Sequence, residues 1–101
     1  MQNFITERIS EIESLCRKHH VRRLSIFGSA VRDDFNPETS DVDVRVEFLP
    51  EADADYLKNL YAIEDTLPVL FNRKVDVISG EIRNPYFRQA VEADEVTLYA
   101  A

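Results

Sequence analysis

Eight consecutive residues, Asp-Val-Asp-Val-Arg-Val-Glu-Phe from Asp41 to Phe48, alternate between charged and apolar side chains. A period of two is the pattern of a β-strand with one face in a core and the other in water. The alternation therefore commits the chain to a sheet that is covered on one side. Val42, Val44, Val46 and Phe48 take the core side, and Asp41, Asp43, Arg45 and Glu47 take the other.

What covers the sheet can be read from the flanking segments. Ile5, Ile9, Ile12, Leu15 and Cys16 recur at helical spacing, which predicts an amphipathic helix over residues 4–19. Leu24–Phe27 is a short apolar run that stops at Gly28-Ser29, the pattern of a strand entering a tight turn, with a short helix from Ser29. Asn36-Pro37 and its polar neighbours predict a loop. Leu57, Leu60, Tyr61, Leu67, Leu70 and Phe71 mark a second long helical region, which Pro68 should kink or split. Val75–Ile78 predicts a strand stopped by Ser79-Gly80. Pro85 suits the first turn of a last helix with Tyr86, Phe87, Ala90 and Val91 as its buried side, before a short strand at Val96–Tyr99.

Size and charge narrow the function. A chain of 101 residues has room for one domain and one modest core, spanning 1–101, and none for a separate substrate-holding domain. Whatever it acts on is expected to be held largely by another molecule. No apolar run approaches the roughly 20 residues that span a bilayer, and residues 1–20 lack a secretory h-region, so a cytoplasmic protein is expected. The net charge of −7 argues against direct nucleic-acid binding. The one basic concentration, Arg17, Lys18, His19, His20, Arg22 and Arg23, falls where a helix should end and complements its dipole. The two histidines lack zinc-site spacing, and Cys16 reads as a buried side chain on an apolar stripe. Tyr56 and Phe35 are candidates for exposed aromatics on a partner surface.

The chemistry gathers on the polar face of the alternating strand. Asp41 and Asp43 lie roughly 7 Å apart there, close enough to share a cation or a pair of cations, and they repel each other without one. The same pattern is also what a solvated sheet face looks like. Gly28-Ser29 adds a backbone turn able to approach a phosphate closely, although an ordinary turn capped by Ser29 reads the same way. Asp76, between Val75 and Val77, points away from the core if those valines point in; it is otherwise a surface acid or a partner for Lys74. No G-x-x-x-x-G-K-[ST] sequence occurs and the chain has two glycines, which removes P-loop and dinucleotide-binding readings.

Gly28-Ser29-Ala30-Val31-Arg32, then Ser40-Asp41-Val42-Asp43, then Asp76 within Lys74–Ile78 resemble the polymerase-beta-like nucleotidyltransferases in their minimal (MNT) form. Asn84-Pro85-Tyr86-Phe87 and Leu98-Tyr99 resemble the end of those domains, so the resemblance covers nearly the whole chain. It implies an α/β (α+β) fold, with a small mixed β-sheet and helices packed mainly on one face. It assigns Gly28, Ser29 and Arg32 to triphosphate binding. Asp41, Asp43 and Asp76 become catalytic ligands of two Mg2+ ions, Asp76 also being the base toward the acceptor hydroxyl. Two residues depart from the family pattern: Asp33 stands where glycine is common, and Arg45 where an apolar residue is usual. Arg45 shares a face with Asp41 and Asp43, so it either pairs with a carboxylate in competition with metal or grips a phosphate. Arg32 has a second reading as a salt bridge to Asp33, Asp34 or another acid, and Ser40 is expected to order the turn before the strand.

Minimal domains of this type are similar to the antitoxins of two-gene modules whose toxin is a HEPN ribonuclease. That resemblance implies transfer of AMP from ATP to a tyrosine hydroxyl of the toxin, as in a type VII antitoxin. The chain would then form a hetero-oligomer with the toxin or a homo-oligomer. The alternative is an MNT-like antitoxin that neutralises its toxin by contact alone.

Overall fold

In the computed structural model, which describes residues 1–101, the alternating segment is strand β2, Val42–Phe48. Val42, Val44 and Val46 are fully buried, while Asp43, Arg45 and Glu47 are partly buried on the opposite face. Strand β1, Val21–Phe27, runs antiparallel to β2, and β4, Val96–Ala100, runs antiparallel to β1. Strand β3, Val75–Ser79, is parallel to β2, which gives a mixed four-stranded sheet in the order β3-β2-β1-β4. Parallel neighbours need a crossover. Helix α3, Tyr56–Phe71, supplies it.

Strand β1 begins at Val21 rather than at the expected Leu24. A register shift between Val21 and Arg23 breaks the alternation, so the two arginines disguise a strand whose first residue is 1% exposed.

The expected helix over 4–19 is two helices, α1 (Asn3–Thr6) and α2 (Ile9–Lys18). The Thr6 hydroxyl donates to the Asn3 carbonyl at 3.1 Å, and Arg8 leaves helical geometry at φ −111° and ψ 12°. Ile5 and Ile12 nevertheless both reach full burial, and Phe4 packs on Phe35 and Phe71. Arg17 and Lys18 occupy the last turn of α2, at the negative end of its dipole.

Pro68 does not split α3. It sits in the last turn, so the helix forgoes only a bond to the Glu64 carbonyl on its exposed side and closes at Asn72, a left-handed cap with φ 51°. The buried stripe of α3 is Asn59, Ile63, Leu67 and Phe71, at steps of four, leaving Leu57 and Tyr61 each 57% exposed.

Helices α1, α2 and α3 cover one face of the sheet. Ile5, Ile12, Leu15, Cys16, Ile63, Leu67 and Phe71 pack there on Leu24, Ile26, Val42, Val44 and Val46 in one core. Cys16 is fully buried, and burial pushes its thiol up to about 12.

Helix α4, Pro85–Asp94, starts as expected. Asn84 Oδ1 accepts from the N–H groups of Tyr86 and Phe87 at 2.9 and 3.1 Å, with Pro85 following the cap. Its expected buried side does not form. Val91 alone is buried, Tyr86 is 82% exposed, Phe87 45%, and Ala90 is exposed. The small apolar cluster that receives Val91 comprises only Phe27 and Ile82, with Ile78 beside it, so most of α4 has nothing apolar to bury against. Tyr56 and Phe35 are likewise not free surface aromatics: Tyr56 packs edge-on against Phe48, and Phe35 packs beside Phe4, with the Arg73 guanidinium over both rings.

Candidate active site

Strand β1 delivers the chain to Gly28 at φ +76°, a conformation that disfavours any side chain. A Cβ built there would lie 2.6 Å from Asp43 Oδ2, so glycine is required a second time by the carboxylate behind it. Residues Gly28–Ala30 form one 3₁₀ turn in place of the longer helix expected from Ser29. The amides of Val31 and Arg32 both bond back to the Gly28 carbonyl, at 3.0 and 3.2 Å. Ser29 is half-buried in this turn and makes no capping bond; Phe27 occupies the cap position.

The two strand pairings that flank Asp43 set the rest. Across β1 its partner is Phe27, and across β3 its partner is Asp76. Register therefore puts the third aspartate beside the second on adjacent strands, spaced about 4.8 Å. Asp41 precedes Val42, whose N–H bonds to the Lys74 carbonyl at 3.1 Å, and its Oδ2 lies 3.7 Å from Lys74 Nζ.

Asp43 is the perturbed member. Burial pushes its carboxyl above the usual range, with Asp76 and then Asp41 adding to the rise, while Arg32 pulls the other way. The three carboxylates are neighbours without converging on one point, as no cluster of three His, Cys, Asp or Glu side chains meets at metal-ligand distance. Their chemistry nonetheless fits a hard divalent cation. Every donor is a carboxylate oxygen, and neither Asp43 nor Asp76 has an ion-pair partner to neutralise it.

Arg32 is exposed and doubly engaged. Its Nε and Nη2 donate to the two oxygens of Asp34 at 3.0 and 3.3 Å, and its Nη1 pairs with Asp94 at the end of α4. Asp34 first and Asp94 second raise the arginine above its ordinary value. Asp33 takes no part. Ser40 does what its position suggests: its Oγ accepts the Asn36 N–H at 2.9 Å, while Asn36 Oδ1 accepts from the Glu38 N–H.

Arg45 meets neither Asp41 nor Asp43. Its Nη1 donates to Glu95 Oε2 at 3.1 Å, and Glu95 Oε1 lies 2.6 Å from Arg23 Nη2. Glu95 falls outside every periodic pattern in the sequence, just ahead of β4, and reaches Arg45 only because α4 folds over this face. An open polar cavity of about 320 Å³ lies alongside, lined by Arg23, Arg45, Glu92 and Glu95.

Comparison with known proteins speaks to the family and the fold. Residues 9–97 match the nucleotidyltransferase domain family. The chain is 42% identical to a Methanocaldococcus jannaschii protein named "putative protein adenylyltransferase", over 85% of this chain and 93% of that one. A solved "putative minimal nucleotidyltransferase" superposes with a TM-score of 0.73 at 27% identity, covering 91% of this chain and 90% of that one. The tri-AMPylated Shewanella oneidensis HEPN toxin in complex with MNT antitoxin contains a chain with a TM-score of 0.61. At 17% identity, over 95% of this chain and 72% of that one, it speaks to fold.

Proposed function

Because this chain belongs to the nucleotidyltransferase domain family, we propose that it is a protein adenylyltransferase of the MNT antitoxin kind. It moves AMP from ATP to a tyrosine hydroxyl of a HEPN toxin in the cytoplasm. The observation that carries the reading is the meeting of Gly28 with Asp43 and of Asp43 with Asp76, three residues brought from separate strand ends to one place. The relatives supply the direction: one is named for protein adenylyl transfer, and a fold neighbour is an MNT antitoxin with an AMPylated toxin.

In this mechanism Asp41, Asp43 and Asp76 would hold Mg2+, which would offset negative charge on the attacking and leaving oxygens. The Gly28–Ala30 turn presents its backbone to the triphosphate, with Ser29 as a side-chain contact. Arg32 reaches phosphate by exchanging it for the Asp94 and Asp34 carboxylates. Asp76, exposed at the edge strand, accepts the proton of the incoming hydroxyl at its carboxylate. The hydroxyl oxygen bonds to the α-phosphorus as the bond to the β-phosphate oxygen breaks, and pyrophosphate leaves. In this reading the acceptor tyrosine arrives on the partner.

Intact mass spectrometry of the chain with ATP, Mg2+ and the product of the neighbouring gene tests this, beside an Asp41→Ala, Asp43→Ala control. AMP-sized increments on the partner, lost in the control, are expected. A stable, inhibited complex with no mass gain from any nucleoside triphosphate would replace transfer by contact inhibition.

A further inference from the structure

Arg45 is the residue that should spoil the aspartate site. It stands one same-face step along β2 from Asp43, roughly 7 Å, which an arginine side chain can span. A guanidinium paired with Asp43 would occupy the carboxylate that a cation needs, since a charge-assisted pair of that kind competes directly for the same lone pairs. In the structure the guanidinium is turned away. Nη1 bonds to Glu95 at 3.1 Å and Nη2 stands 4.0 Å from Glu47 Oε1.

Glu95 is a costly choice for a surface ornament. Its side chain is 5% exposed and that of Arg45 15%, so both have lost most of their water. A carboxylate so enclosed persists only with close cationic partners, and Arg45 and Arg23 are those partners. Arg45 Nε and Glu95 Oε1 are both buried without a hydrogen-bond partner, Oε1 facing Arg23 Nη2 at 2.6 Å as an ion pair.

We propose that Glu95 is a positioning residue of the candidate site, holding the Arg45 guanidinium away from Asp43 so that this carboxylate stays free for a divalent cation. The inference rests on the cation-dependent reading of the site given above. It also accounts for the pairing of two departures from a plain sheet face: the arginine on β2 and the acid brought over it by α4 are tolerated together.

A titration of the whole chain with Mn2+, following the electron paramagnetic resonance signal of the free ion, separates the possibilities. It is run on wild type, Glu95→Gln, Arg45→Leu and the double variant, with a thermal melt of each. Glu95→Gln should bind Mn2+ on the order of tenfold more weakly, the scale on which a neighbouring cation shifts a carboxylate. Arg45→Leu should bind at least as tightly as wild type. The double variant should recover wild-type affinity although it also lacks Glu95, a recovery that loss of packing would not produce. Unchanged affinity in Glu95→Gln, or a double variant as weak as Glu95→Gln, overturns the positioning role. No Mn2+ binding by wild type, or binding that survives Asp43→Ala, overturns the cation site itself and this role with it.

Discussion

Gly28 is the residue on which two separate constraints fall. Replacing it with alanine forces a side chain into the left-handed region, which costs about 1–2 kcal/mol, and drives the new methyl against Asp43 Oδ2. Gly28→Ala should lose that much stability in denaturant unfolding and lose nucleotide transfer together, because the displaced group is a carboxylate of the site. Asp43 gives a prediction of the opposite sign. Its folded value lies above the ordinary 3.8, so the folded chain holds that proton more tightly than the unfolded one, and ionising Asp43 costs stability. That cost is absent below about pH 3.8 and complete once pH exceeds the raised value. Asp43→Asn should therefore melt higher than wild type at neutral pH, with the advantage fading on acidification, while transfer activity disappears. Added Mg2+ should raise the melting temperature of wild type and leave Asp43→Asn unmoved. The aspartates and the glycine were legible in the sequence because parity and turn chemistry are local. Glu95 was not, since a residue between a helix and a strand has no period to betray it and its contact with Arg45 spans the fold.

At the scale of elements, α4 is the helix with least hydrophobic support. Asn84 satisfies two amides at its start, and Asn84→Ala should cost about 1 kcal/mol in equilibrium unfolding. The same substitution should loosen the Arg32–Asp94 and Arg45–Glu95 contacts carried at its other end, detectable as greater solvent accessibility of Glu95 to carbodiimide labelling. The strands are the most legible elements: alternation marks β2, and β3 stops at the glycine that follows it. The reading failed where a local pattern met a tertiary decision. Tyr86, Phe87 and Ala90 have helical spacing but lie over the polar side of the sheet, where only Phe27, Ile82 and Ile78 await them. Pro68 carries its full cost only in a helix interior, and in a last turn that cost shrinks to one bond. The continuous stripe over 4–19 gave no warning that Thr6 would turn its hydroxyl on its own helix.

For the whole molecule, these differences predict an order of opening. Amide hydrogen exchange should be slowest in β1 and β2, which sit at the centre of the sheet, and fastest among the longer helices in α4, which buries Val91 alone. Raising salt should speed exchange in α4 more than in α2 or α3, because exposed ion pairs such as Arg32–Asp94 are screened and buried apolar contacts are not. No helix is long and apolar enough to cross a membrane. The parallel pairing of β2 with β3 has a consequence in time as well as in space. It closes a loop that contains all of α3, and so costs more chain entropy than the pairing of β1 with β2 across its shorter connection. Asp43 and Asp76 are thus strangers in an unfolded chain, and the chemistry exists only once β3 has paired with β2.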